Sequence, residues 1–406
     1  MRQGRVLWDT AHQTFAPLGP REYYHTQGMN TLLGQMVRDM SYRHAVALLN
    51  RVRHTAAGQG TPVTTAAAMV EREGTAIQHH WEKWSQDVFT RQAFTPEGCP
   101  RGPVKSYGLP EEAVRLPRDT VEEAVTAYNH ERKRDFHIAV PEAQALYEDP
   151  ARTVNVSIDD VGVVQQIPQR RRRGAASAQN TPPERHYVQN TIARVDSIEG
   201  HYTLNGWGTP AVLRFLVAFL LTHDLLQTRH LQFFVDGARS LRADILQQFQ
   251  EWFPSVRIIL DWFHLKKKCA EKLSLAMRGA ALRNAALKEL LPILWLGQVD
   301  RAIAFVQSLP PDHIKSSADQ QGLIGYFERN RPYIPCYALR EALDLQNSSN
   351  PGEKANDLCV AARQKHQGMS WSRNGSVALA TVTAVHQNHE IRHWYEEQHL
   401  KFEWVA

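Results

Sequence analysis

Three acidic residues, far apart along the chain, stand where an acid can do chemistry. Asp159 follows Thr153-Val154-Asn155-Val156-Ser157-Ile158, whose apolar–polar alternation predicts a half-buried strand. Asp236 follows a second apolar run, Leu231-Gln232-Phe233-Phe234-Val235, and Glu353 opens a helix after Asn350-Pro351-Gly352. Hard divalent cations take oxygen ligands, so carboxylates brought together from separate elements suit them. Two such ions, roughly 3.5–4 Å apart, activate a nucleophile and stabilise a leaving oxygen during in-line displacement at phosphorus. The chemistry implied is metal-dependent phosphodiester cleavage, with magnesium as the ion and manganese as its substitute. Each acid also has a plainer reading. Asp236 before Gly237 can cap a turn, and Glu353 suits the first turn of any helix. Asp160 lies beside Asp159 on the opposite face of the strand and competes with it as the first acid.

The elements that must position these acids change character along the chain. Residues 1–150 read as mostly helical. Ser41 to Val52 is amphipathic, with Ala45, Leu48, Leu49 and Val52 at helical spacing; a turn at Ala56 to Gly60 and a helix from Ala66 to Glu73 follow. Helix, turn and helix over about 38–74 match a helix-turn-helix, and equally an ordinary packed pair. From 151 to 264 strands dominate: Thr153–Ile158, Val161–Val164, Tyr187–Val195, Gly200–Leu204, Leu231–Val235 and Val256–Leu260, with helices at Pro210–Leu225 and Ser240–Trp252 between the later ones. Strands alternating with helices predict parallel pairing, and parallel sheets carry reactive groups at the strands' carboxyl ends. Residues 265–345 read as all-helical, and 346–406 as a loop, the Glu353 helix, a turn and a final helix.

The 406 residues suffice for two or three domains, and 43% hydrophobic with 22% charged residues is ordinary for a globular protein. The longest apolar run, Val212 to Leu221, is broken by Arg214 and too short to span a bilayer. No apolar leader opens the chain, so a cytosolic, nucleoid-associated protein is expected. Four scattered cysteines without a CxxC pair argue against a disulfide framework or a thiolate zinc site. A formal charge of +5 suits a nucleic-acid partner without proving one. Arg170, Arg171, Arg172 and Arg173 lie in a low-complexity stretch that is either a solvated loop or a phosphate clamp. Lys266, Lys267 and Lys268 pose the same choice.

A family resemblance joins these pieces. Asp236-Gly237-Ala238, a helix, Phe253-Pro254 and then Ile259-Leu260-Asp261-Trp262-Phe263-His264 resemble the second-aspartate block of Mutator-like insertion-sequence transposases of the DDE type. Asn350-Pro351-Gly352-Glu353-Lys354-Ala355-Asn356, with Arg363-Gln364-Lys365-His366-Gln367-Gly368-Met369-Ser370-Trp371-Ser372, resembles their third-carboxylate block. The likeness covers roughly residues 150–380. It implies an α/β RNase H-like catalytic core, a large all-α insertion at 265–345 and a helical N-terminal DNA-binding region. It assigns Asp159, Asp236 and Glu353 as catalytic metal ligands, supported by Asp261, His264 and Asn356. The family commonly shows Asp-Gly at the first position, where this chain has Asp159-Asp160, and a more regular Gly-Ser lead before Glu353.

The resemblance implies a transposase that binds the terminal inverted repeats of double-stranded DNA, cuts them with two magnesium ions and joins them to target DNA, working as a homodimer away from membranes. The arginine stretch, Lys266–Lys268, Arg363 and Lys365 would meet phosphates. Trp371 would stack on a base, although a place in the core suits it better. Two rivals remain: a nuclease on the same core that cuts without joining, and a non-catalytic DNA-binding relative.

Overall fold

The computed structural model describes residues 6–9, 14–17, 27–54, 60–102, 115–141, 148–166, 186–249, 252, 256–365 and 369–406. It is a mixed α/β protein with mostly helical content around one five-stranded sheet. A short hairpin, β1 (Val6–Asp9) and β2 (Thr14–Pro17), precedes helices α1 (Gln27–Asp39), α2 (Tyr42–Val52), α3 (Val63–Arg91) and α4 (Arg118–His130). The sheet is built from β3 (Thr153–Val164), β4 (Tyr187–Ser197), β5 (Gly200–Gly206), β6 (His230–Val235) and β7 (Val256–Leu260). Helices α5 (Thr209–Thr222) and α6 (Leu225–Thr228) lead into β6, and α7 (Arg239–Phe249) leads into β7.

The strand order is β5-β4-β3-β6-β7. The hairpin-linked strands β3, β4 and β5 pair antiparallel, whereas β3, β6 and β7, joined by helical crossovers, pair parallel. Every residue of β6 is buried, as expected for a central strand covered on both faces. One face packs on α5 and α7: Phe219 stacks on Tyr202 with ring centres 4.7 Å apart, and Phe249 meets Phe233 at 4.9 Å. Beyond β7 the chain is helical for about eighty residues, through α8 (Trp262–Ala276), α9 (Ala280–Trp295), α10 (Val299–Gln307), α11 (Ser317–Asn330) and α12 (Tyr337–Ala342). Their apolar faces form a cluster of their own that reaches the sheet through Phe234 and Ile259. Helix α13 (Asn350–Asn356) runs through a π-helical turn, Asp357–Ala361, into α14 (Ala362–Gln364); α15 (Arg373–Gln387) and α16 (Ile391–Glu397) complete the chain.

Two sequence expectations need correction. The strand carrying Asp159 does not end there; β3 continues to Val164, because Val161 and Val163 keep the alternation and pair with Asn190 and Val188 of β4. The helix expected at Ala66–Glu73 is a single helix of 29 residues, longer than a free-standing reading head would need. Buried residues of α1, α2 and α3 belong to the same apolar cluster as the sheet. Gly74 lets α3 meet the α15 backbone, since a Cβ there would overlap Ala378. Of the turn expected at Ala56 to Gly60, all but Gly60 lies outside the described residues, as do Arg170–Arg173. Among the described residues, no helix is long and apolar enough to cross a membrane.

Candidate active site

The register of the parallel strands decides where the acids sit. Ser157 pairs with Phe234, and Val235 with Leu260. Continuing that register places Asp159 level with Asp236, and Asp236 level with Asp261. Side chains alternate along a strand and neighbouring strands lie about 4.8 Å apart, so all three acids occupy one row on one face. That face also receives α13: a Cβ on Gly352 would overlap that of Ser157, so the glycine is what allows the helix to lie against β3. The close approach brings Glu353 and Asn356, one turn apart, to the row. Asp160 points to the other face and accepts a hydrogen bond from Thr191 of β4.

Each acid has a distinct environment. Asp159 accepts hydrogen bonds from the Asp160 N–H at 2.9 Å and from Asn356 Nδ2 at 2.5 Å. Burial pushes its carboxyl above the usual carboxylate range; these two hydrogen bonds oppose the shift and the charge of Asp236 adds to it. Asp236 is exposed, and its Oδ1 caps its own turn by accepting the Ala238 N–H at 2.7 Å, while Gly237 takes φ +90°. The turn-capping reading of Asp236 therefore holds. Asp261 is fully buried and caps α8. Its Oδ1 accepts the His264 N–H at 2.7 Å and faces His264 Nδ1 at 3.1 Å; its Oδ2 accepts the Ser349 Oγ–H at 2.9 Å and the Ser349 N–H. Burial alone would raise this carboxyl, but the bonds from His264 and Ser349 outweigh it and hold the group below its usual value. In turn, the bond to Asp261 raises His264, opposed by burial and helped by the charges of Asp261, Asp236 and Glu353. With Nδ1 turned to Asp261, His264 presents Nε2 to Glu353 Oε1 at 3.8 Å.

The donor chemistry at this edge suits a hard divalent ion: carboxylate oxygens, one of them held ready by an amide, with the charge of Asp236 close enough to oppose the ionisation of Asp159. As the side chains stand, no three His, Cys, Asp or Glu groups among the described residues form a closed shell for one ion. Asp261 is the member of the row with least capacity left, since it is fully buried and its oxygens take four contacts, against two at Asp159.

The remaining expected residues divide. Lys267 is exposed on the first turns of α8, Lys266 lies over the Trp262 ring at 5.7 Å, and Lys268 pairs with Glu271 at 3.4 Å. Lys365 is exposed at the end of α14. Arg363 and Trp371 are each 7% exposed, which for Trp371 agrees with the place in the core that the sequence favoured. Arg363 Nε donates to the carbonyls of Val37 and Met40, and Trp371 Nε1 to that of Gln364, so the indole belongs to the core and does not offer a stacking face.

No protein family model and no curated protein matches the chain. Among solved structures, the Drosophila P element transposase strand transfer complex is similar over 94% of this chain and 83% of that one, at 9% identity and a TM-score of 0.24.

Three residues without a sequence signal also shape the site. Ser349 locks Asp261. Fully buried Arg340 donates to the Gln346 carbonyl and to Gln232 Oε1, four residues before Asp236, and so holds the loop that carries Ser349. Tyr326 of α11 brings its hydroxyl beside Gly237, buried and without a partner among the described residues. Nothing local marks them, because Ser349 meets Asp261 across 88 residues of chain, Arg340 meets Gln232 across 108, and Tyr326 meets a glycine on the far side of α8 to α10.

Proposed function

We propose that this chain is a DNA transposase of the DDE type, on an RNase H-like core, that cuts the ends of an element and joins them to target DNA. One observation carries the reading: Asp159 and Asp236 share a row at the edge of parallel strands, and the close seating of α13 on β3 adds Glu353 to it. The strand order, three antiparallel strands followed by two parallel ones with crossover helices, supports the same core. So does the helical stretch between β7 and α13, in the place the resemblance gives to an insertion.

Asp159, Asp236 and Glu353 would hold the ions; magnesium bound there supplies an activated nucleophile and charge stabilisation for the departing oxygen. The chain's own groups do the rest. Asn356 fixes the rotamer of Asp159. Asp261 sets the His264 ring so that Nε2 faces the acids, where it can donate to a phosphate oxygen or to Glu353. In the first step water adds to phosphorus, the P–O3′ bond breaks and the 3′-oxygen leaves as a hydroxyl. In the second, that hydroxyl attacks a target phosphate and another 3′-oxygen departs. A homodimer, one protomer at each DNA end, is part of the proposal.

The test is incubation of purified protein with labelled inverted-repeat ends and magnesium, beside Asp236→Asn. Magnesium-dependent nicking by the wild type, lost in Asp236→Asn by a factor of about 10² or more, is the expected outcome. Equal nicking by both proteins removes Asp236 from the chemistry. Pre-cut ends with target DNA separate the two enzymes: joined product marks a transposase, and its absence beside normal nicking marks a nuclease.

A further inference from the structure

A groove of about 1020 Å³ lies away from the acid row, where the first turns of α2 and α3 meet the segment before α15. Its wall includes Arg363, more than nine-tenths buried. The Arg363 guanidinium sits against the rings of Tyr42 and Trp371, 5.4 Å from each centre. Two backbone carbonyls take its Nε and the Met369 sulfur faces Nη1; among the described residues Nη2 has no acceptor and no carboxylate neutralises the charge. A buried cation without a counter-charge is costly, and burial pushes this one below its usual pKa. Exposed Arg43 and His44 add donors at the mouth. The N-cap of α3 is Pro62, which offers no side-chain acceptor, so the first N–H groups of a 29-residue helix stand uncapped beside the groove. One acid, Glu71, also lines it, placed near Gly375 at the first turn of α15, where a negative charge serves that helix.

We propose that this groove seats a backbone phosphate of the DNA strand, a few nucleotides from the bond that is cut. The inference rests on the DNA-cutting reading for its ligand and on the groove for its place. Arg363 and Glu353 belong to one continuous helical run, ten residues apart, which is about 15 Å of rise. That spans roughly four base-pair steps at about 3.4 Å each.

The probe is a fluorescein-labelled DNA duplex of mixed sequence, titrated by anisotropy across a salt series. Arg43→Ala removes a cation at the mouth. Ala67→Glu places an acid on the groove face of α3, near its start, where a carboxylate does not harm the helix. Arg392→Ala, on distant α16, removes an equal charge elsewhere. Arg43→Ala should bind about tenfold more weakly, with the slope of log K against log salt reduced by about 0.9. Ala67→Glu should weaken binding further, with an unchanged melting temperature. If Arg43→Ala and Ala67→Glu bind like the wild type, or Arg392→Ala weakens binding as much as they do, the groove assignment is overturned. Magnesium-dependent nicking by the wild type and its loss in Asp236→Asn are read separately, so the groove can fail while the enzyme reading stands.

Discussion

Asp261 accepts four hydrogen bonds while fully buried, so an amide in its place would turn one acceptor into a donor facing N–H groups. Asp261→Asn should therefore cost about 2–3 kcal/mol of stability, read by urea unfolding. It should also slow nicking, because His264 loses the partner that sets its ring. Ser349→Ala removes one of those bonds and leaves the backbone N–H, so about 1 kcal/mol is expected, with restoration by Ser349→Thr. An Asp261→Asn protein that nicks at the wild-type rate would show that the His264 orientation does not matter to the chemistry. At this scale the sequence was partly legible. Asp261 and His264 came from the family resemblance, and their mutual bond is local, three residues apart. Ser349 was hidden, because its bond to Asp261 spans 88 residues and serines in loops are common.

At the scale of elements, two glycines provide matched tests. Gly352 seats α13 on β3 beneath the acids, and Gly74 seats α3 on α15. An added methyl group overlaps atoms of the facing strand or helix in each case, and overpacking of this kind costs about 1–3 kcal/mol. Gly352→Ala and Gly74→Ala should lower the melting temperature comparably. Gly352→Ala should in addition abolish most nicking at temperatures where both variants remain folded, because it lifts Glu353 and Asn356 away from Asp159. Equal nicking by the two would show that the α13–β3 approach does not position the acids. Element type was readable from periodicity, which is why β7 agreed end to end and the helical stretch after it was expected. Lengths were less so. The strand through Asp159 continues because β4 supplies a partner, and α3 runs on because α15 covers it; neither fact is local.

Across the whole molecule, the N-terminal helices and the C-terminal segment are stitched together at His80. Its Nε2 accepts the Leu400 N–H at 3.3 Å, its ring lies parallel to Phe402, and His399 and Lys83 are its charged or titratable neighbours. Burial, followed by His399 and Lys83, lowers its pKa below the usual histidine value. A depressed histidine contributes stability above the unfolded value of about 6.5, and that contribution is lost as pH falls through it, because the unfolded chain takes a proton the folded one resists. Urea midpoints should therefore fall between pH 7.5 and 5.5, and fall less in His80→Gln. Identical pH slopes for the two proteins would remove His80 from this role. Buried Glu390 works in the opposite sense: burial raises its carboxyl, so its share of stability is full at low pH and declines as pH rises. Comparing the histidine variant with the wild type cancels that background.

Under the proposed function, the unbroken helical run from Asn350 to Gln364 constrains how a duplex would be held. Arg363 is anchored to carbonyls of α1 and its neighbouring turn, and Glu353 is pressed to the sheet by Gly352. Both ends of the run are therefore fixed to the same body, and it behaves as a caliper of constant opening. Substrates of different shape cannot be accommodated by widening it. Under the proposed function, the nucleic acid would have to bend or unwind to suit, which would favour ends rich in easily deformed pyrimidine–purine steps.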